Sequence, residues 1–140
     1  MAKISTLIPV VAVALVAADR RVLLQQRRLG AMHGGLWEFP GGKVKQAESL
    51  ESALVREIRE ELGIALDPAD CAPLSFASDP ALPPAPREPY VVLLYICRKW
   101  QGEPRCLDGE AIAWFDLEDL AGLAMPPLDV PLVEALRRAI

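Results

Sequence analysis

The chain has 140 residues, 52% of them hydrophobic and 24% charged, with a formal net charge of -4. That length suits one domain, spanning 1–140, with a real core, and the composition excludes a disordered chain. The negative balance argues against non-specific binding to a nucleic-acid polymer or an anionic membrane, so an anionic substrate would need cations recruited locally.

From the N-terminus, LIPVVAVALVAA (7–18) is too short to span a bilayer. It could be the apolar core of a signal peptide. Val10, Val11, Val13 and Val16, with the turn-like ADRR that follows, favour a buried strand instead. VLLQQR reads as its hairpin partner. Strands are expected near 8–17, 21–27, 36–39, 73–78, 90–99 and 111–115, and helices near 48–62 and 128–139. Strands interleaved with one long helix, and a second helix at the end, suggest an α/β or α+β sandwich with helices against a mixed sheet.

His33, the only histidine, stands before two glycines and reads as a solvated loop residue, which leaves little for a Ser-His-Asp triad. DPALPPAPREP (79–89) holds five prolines and reads as a surface loop, either a stiff connector or a flap beside a site. Cys71, Cys97 and Cys106 are odd in number and form no C-x-x-C. That pattern argues against a disulfide framework or a zinc site and fits a reducing cytoplasm.

The 48–62 helix has two distinct faces. Leu54, Val55, Ile58 and Leu62 project to one side and should pack on the sheet. Glu57, Glu60 and Glu61 crowd the adjacent side at i, i+3 and i+4, where like charges repel by about 0.2–0.5 kcal/mol per pair. Ser49 is a plausible N-cap and Gly63 a terminating residue. An acidic face alone is commonly just solvated, with Arg56 pairing to Glu60.

The segment GGKVKQAESLESALVREIREELGI adds a pattern to that face. Gly42, five residues, Glu48, seven residues, Arg56-Glu57, Ile58, any residue, Glu60-Glu61, any residue, Gly63 and Ile64 resemble the Nudix box at every position. From average composition a random window would match on the order of once in 10⁹, so the resemblance to the Nudix hydrolases is specific. It implies an α+β Nudix-type α/β/α sandwich with a mixed central sheet and a catalytic loop–helix–loop. It also implies cleavage of a nucleoside diphosphate linked to another group.

By the same resemblance, Glu57, Glu60 and Glu61 are the helix metal ligands, the Gly41 carbonyl is a further ligand, and Glu57 is the candidate general base. Glu48 and Arg56 resemble residues that fix the carboxylates. Oxygen-only ligands favour Mg²⁺, with Mn²⁺ as a substitute, and a bound divalent ion would relieve the glutamate repulsion.

Outside the box, VLLQQRR, GLWEFPGGK, KWQGEP, AWFDLEDL and MPPLDVPLVEAL resemble the MutT branch, which releases a nucleoside monophosphate and pyrophosphate and is best known for clearing 8-oxo-dGTP during DNA replication and repair. Arg27 and Lys43 match basic positions that the branch places near phosphate, or are simply solvated surface charge. Asp108 aligns with a downstream metal ligand, Glu110 being a neighbouring candidate, and Phe39 resembles part of the nucleobase pocket or is simply core. Asp129 stands where the 8-oxoguanine-type pattern carries asparagine; it resembles the branch acting on CTP and modified pyrimidine triphosphates, or it could cap the last helix. ADP-ribose or nucleotide-sugar hydrolysis, faintly suggested by Pro80, and a non-catalytic nucleotide-binding module are the remaining readings. The oligomeric state is left open.

Overall fold

A computed structural model describes residues 6–79 and 88–140. The elements run β1 (Ile8–Leu15), β2 (Val22–Gln26), β3 (Trp37–Glu38), β4 (Gly41–Lys43), α1 (Leu50–Leu62), a 3-10 turn (Pro68–Asp70), β5 (Cys71–Ser78), β6 (Tyr90–Cys97), β7 (Ala111–Phe115), α2 (Leu117–Leu120) and α3 (Asp129–Ala139). They form two sheets, ordered β4-β1-β6-β5 and β3-β2-β7. β1 runs parallel to β6, whereas β4 and β5 are antiparallel to their neighbours, so the larger sheet is mixed, as expected.

The apolar run at 7–18 forms one of this sheet's two central strands, and its alternation builds both layers. Val11, Val13 and Leu15 pack with Leu54, Ile58 and Leu62 of α1, while Ala12, Ala14 and Val16 pack with Leu132, Val133 and Leu136 of α3. A strand buried on both faces reads as a continuous hydrophobic run, which is why the segment is so apolar.

VLLQQR is not β1's hydrogen-bonded partner along its length. β2 belongs to the smaller sheet, and only the bridge Val16↔Val22 joins it to the end of the first strand. The glycine stretch is strand β4 in register with β1, Gly42 opposite Val11. A Cβ at Gly41 would overlap the Val11 carbonyl, so glycine is required by the closeness of the two strands.

Cys71 and Cys97 stand opposite one another across β5 and β6, both as free thiols. The proline-rich loop lies, apart from its ends, outside the described residues, as does Pro80. Among the described residues no helix is long and apolar enough to cross a membrane.

The start of α1 is fixed locally. The Ser49 hydroxyl accepts from the Ser52 N–H at 3.1 Å, and the Ser52 hydroxyl accepts from the Ser49 N–H at 3.1 Å, a reciprocal capping box. Gly63 ends the helix at φ 71°, a left-handed conformation that favours glycine. Replacing Ser49 by alanine is expected to cost about 1 kcal/mol of stability. A lowered urea midpoint with an unchanged denaturant slope would show it.

Candidate active site

The acidic face of α1 is organised by one guanidinium. Arg56 Nε and Nη2 donate to the two Glu48 oxygens at 2.6 and 2.9 Å. Its Nη1 donates to Glu57 Oε1 at 2.9 Å and to Glu60 Oε2 at 3.3 Å, and Nη2 also reaches the Lys43 carbonyl at 3.1 Å. The clasp therefore ties strand β4, the loop carrying Glu48 and two box glutamates into one unit. These hydrogen bonds, with one from the Lys45 N–H, hold the Glu48 carboxyl down to about 2. Gly42 makes room for the arrangement, because a Cβ there would collide with the Glu57 carboxylate.

Glu61 is held differently. It is 5% exposed, and Gln25 Nε2 donates to its Oε2 at 2.7 Å. Among the described residues no lysine or arginine pairs with it. Burial first, and then the charges of Glu57, Glu38 and Asp108, push its carboxyl up to about 8, against the lowering effect of the Gln25 hydrogen bond.

Asp108 is delivered by the end of the same helix. The Arg105 and Leu107 N–H groups donate to the carbonyls of Leu62 and Glu61 at 2.9 and 3.0 Å, satisfying two acceptors that a helix C-terminus leaves open. The 105–109 loop is thereby fixed beside Glu61, with Asp108 exposed and paired to Arg28 at 2.7 Å.

A cleft of about 480 Å³ runs from this edge across the other face of the larger sheet. Val10, Ala12 and Val92 form its apolar floor, and Gly41, Gly42 and Lys43 its near end. Lys43 Nζ lies 5.6 Å from the centre of the Tyr90 ring. At the far end Asp129 Oδ2 accepts from the Phe39 N–H at 3.1 Å. α3 starts at Asp129 with Leu128 as its cap and no side-chain capping bond, so Asp129 does not serve as the helix cap. Burial, followed by the charge of Glu38, pushes the Asp129 carboxyl from 3.8 to about 7.

The residues expected from sequence thus divide into two groups. Glu48, Arg56, Glu57 and Glu60 meet around one guanidinium, with Glu61 and Asp108 beside them, while Arg27, Phe39, Gly41, Lys43 and Asp129 line the cleft. Arg27 spends its charge on Glu38, Nη1 reaching both carboxylate oxygens at 3.1 Å, and its Nε donates to the Met32 carbonyl at 2.7 Å. Phe39 is both core and cleft wall, at 4% exposure. Glu110 is exposed at the start of β7, its N–H bonded to the Gln26 carbonyl.

Sequence reasoning missed Glu38 and Gln25. Glu38 touches both ends of the site electrostatically, raising Glu61 and Asp129 alike. The signal available for Gln25 was its place two residues after Leu23, a polar side chain on a core-facing strand position.

Whether these residues suit a divalent ion turns on donor chemistry. Among the described residues no three acidic, thiol or imidazole groups are already gathered around one point. The donors present are nonetheless all oxygens, and Glu61 is a buried carboxylate facing like charges with no cation of its own. Such a set fits a hard cation such as Mg²⁺ better than zinc.

The NUDIX domain family model matches residues 6–137. A relative in Escherichia coli, CTP pyrophosphohydrolase, is 33% identical over 125 residues, covering 89% of this chain and 88% of that protein. The 8-oxo-dGTP diphosphatase of the same organism is 29% identical over 130 residues, covering 91% and 95%. The MutT NUDIX hydrolase structure from Burkholderia pseudomallei superposes with a TM-score of 0.76 at 34% identity, covering 97% of this chain and 100% of that one.

Two outcomes follow from the geometry. Gly42→Ala should drive the Glu57 carboxylate off the β4 backbone and lower kcat/KM by about 100-fold, as displacements near 1 Å can, measured as steady-state pyrophosphate release. Because Asp129 titrates higher in the fold than its ordinary 3.8, the folded state holds the extra proton between about pH 4 and about pH 7. Stability should therefore fall as pH rises through that window. Asp129→Asn should shrink the difference between urea midpoints measured at about pH 5 and about pH 8.

Proposed function

Since the chain belongs to the Nudix family and is a MutT-like Nudix hydrolase, we propose that it converts a modified nucleoside triphosphate, foremost 8-oxo-dGTP, to the nucleoside monophosphate and pyrophosphate. The reaction would depend on Mg²⁺, with Mn²⁺ as a substitute. The observation that carries this reading is the cleft, which runs from Gly42, against the Glu57 carboxylate, to a buried polar terminus at Asp129.

In this reading the triphosphate lies toward Gly42 and Lys43, and the base toward Phe39 and Asp129. Glu57, Glu60, Glu61 and Asp108, with the Gly41 carbonyl, would hold the divalent ion. When bound, the ion supplies polarisation of phosphate oxygens and a lowered water pKa. Glu57 accepts the proton of the attacking water. One phosphoanhydride P–O bond breaks as the new P–O bond forms, and the electron pair leaves on the departing phosphate oxygen. Arg56 and Glu48 keep the Glu57 carboxylate in place, since both of its neighbours in the clasp are anchored.

Asp129 supports a second substrate class. Ionised it only accepts hydrogen bonds; protonated it also donates. With its carboxyl near 7 both forms occur close to neutral pH. An acceptor suits an exocyclic amino group, on cytosine as well as guanine, and one relative carries the name CTP pyrophosphohydrolase.

A steady-state panel of 8-oxo-dGTP, dGTP, dCTP, 5-hydroxy-dCTP and ADP-ribose, run with Mg²⁺ and again with chelator, separates the readings. The expected result is chelator-sensitive pyrophosphate release with the highest kcat/KM for 8-oxo-dGTP. A cytidine triphosphate ranking first would establish the second class. Turnover of ADP-ribose above all triphosphates would overturn both.

A further inference from the structure

β2 presents alternate residues to α1. Leu23 packs in the cluster that holds Ile58 and Leu62, and two residues on, facing the same side, stands Gln25. Neighbouring strands reinforce that placement: Glu38 of β3 and Ile112 of β7 are its register partners. Gln25 is 4% exposed. Its Nε2 is committed to Glu61 Oε2 at 2.7 Å, while its Oε1 is the buried side-chain oxygen without a hydrogen-bond partner among the described residues.

A buried amide oxygen left unpaired is costly, and an aliphatic side chain of similar volume would avoid the cost. The surroundings have been fitted around the amide nevertheless. A Cβ at Gly109 would collide with the Gln25 side chain and with the Gln26 carbonyl. The loop carrying Asp108 therefore closes down directly on Gln25, and the Glu110 N–H bond to the Gln26 carbonyl at 2.9 Å keeps it there.

Gln25 thus stands under the two acidic groups that approach from different elements, Glu61 from α1 and Asp108 from the loop before β7. The amide binds one Glu61 oxygen and leaves Oε1 of that carboxylate for another partner. It also supplies, through its own Oε1, an acceptor beside the acidic cluster.

We propose that Gln25 is a positioning residue that orients Glu61 toward a divalent cation and whose free Oε1 accepts a hydrogen bond from a water within the acidic site. The proposal rests on the metal-dependent reading given above. It assigns to β2, outside the loop–helix–loop, a part in assembling the cation site. A merely structural role, filling volume and satisfying the buried Glu61 carboxylate, would leave the affinity for a divalent ion unchanged.

The test is Mn²⁺ binding by isothermal titration to the wild-type chain and to Gln25→Met, which keeps volume and flexibility but loses both hydrogen-bonding groups. Removing a partner that orients a metal ligand typically weakens affinity by about 10–100-fold, and a loss in that range is expected. kcat at low Mn²⁺ should fall and recover as Mn²⁺ is raised. In a Glu61→Gln background, adding Gln25→Met should change the Mn²⁺ affinity by less than about twofold, because the residue acts through that carboxylate. Gln25→Leu serves the same comparison if the methionine variant does not fold.

Equal Mn²⁺ affinity in wild type and the Gln25 variants overturns the inference and leaves the metal-dependent reading standing. Wild-type chain that binds no Mn²⁺ overturns both.

Discussion

Like-charge repulsion along one seam is the constraint on which the site depends. The carboxylates of Glu38, Glu48, Glu57, Glu60, Glu61 and Asp108 are brought together where α1 meets the edges of two sheets. Carboxylates at such spacing repel unless cations or hydrogen bonds intervene. Arg56 serves Glu48, Glu57 and Glu60, Arg27 serves Glu38, and Arg28 serves Asp108. Among the described residues Glu61 receives only the Gln25 amide, and its raised carboxyl records the deficit. Among the described residues two buried acids, Glu61 and Asp129, have no ion-pair partner, and Glu61 stands where the family signature expects a cation.

The two-sheet architecture explains how that seam is built. β1 carries α1 on one face and the cleft floor on the other, and β4 pairs with it through glycines so close that side chains are excluded. One short strand therefore presents Gly42 to the Glu57 carboxylate and lines the cleft with Gly41 and Lys43. The smaller sheet approaches from the side and adds Gln25, Arg27 and Glu38. Strands, a helix and a capped loop all converge, which gives the acidic groups rigid supports on several sides.

Legibility in the sequence followed the range of the interactions. Helix α1 was readable to its ends because Ser49, the heptad-like aliphatic face and Gly63 act within a few residues. The box residues were readable because their spacing is carried by that one helix. Strand β4 was not, since glycines disfavour strands and only the approach of the Val11 backbone makes them necessary. The split into two sheets was equally hidden: VLLQQ has the alternation of a hairpin partner, and nothing local says that β7, nearly ninety residues away, pairs with it. Glu38 and Gln25 escaped for the same reason. Each gains its meaning from a residue on another element, Arg27 and Asp129 for the first and Glu61 for the second.

Glu38 also connects the two ends of the cleft. Its own carboxyl is raised by burial despite the bidentate contact to Arg27, and its charge in turn raises both Glu61 and Asp129. A cation bound at the α1 edge would weaken the negative field that Glu61 feels, but it acts on Asp129 only over a longer path through the partly screened cleft. The Asp129 carboxyl is therefore governed chiefly by its own burial, then by the Glu38 charge, its Phe39 N–H bond and Arg27. Arg27 is held by Glu38 and the Met32 carbonyl, so any anion that competed for Arg27 would expose Asp129 to more of the Glu38 charge and favour its protonated form. An anion at Arg27 and the hydrogen-bond character of Asp129 are in this way linked by one half-buried ion pair.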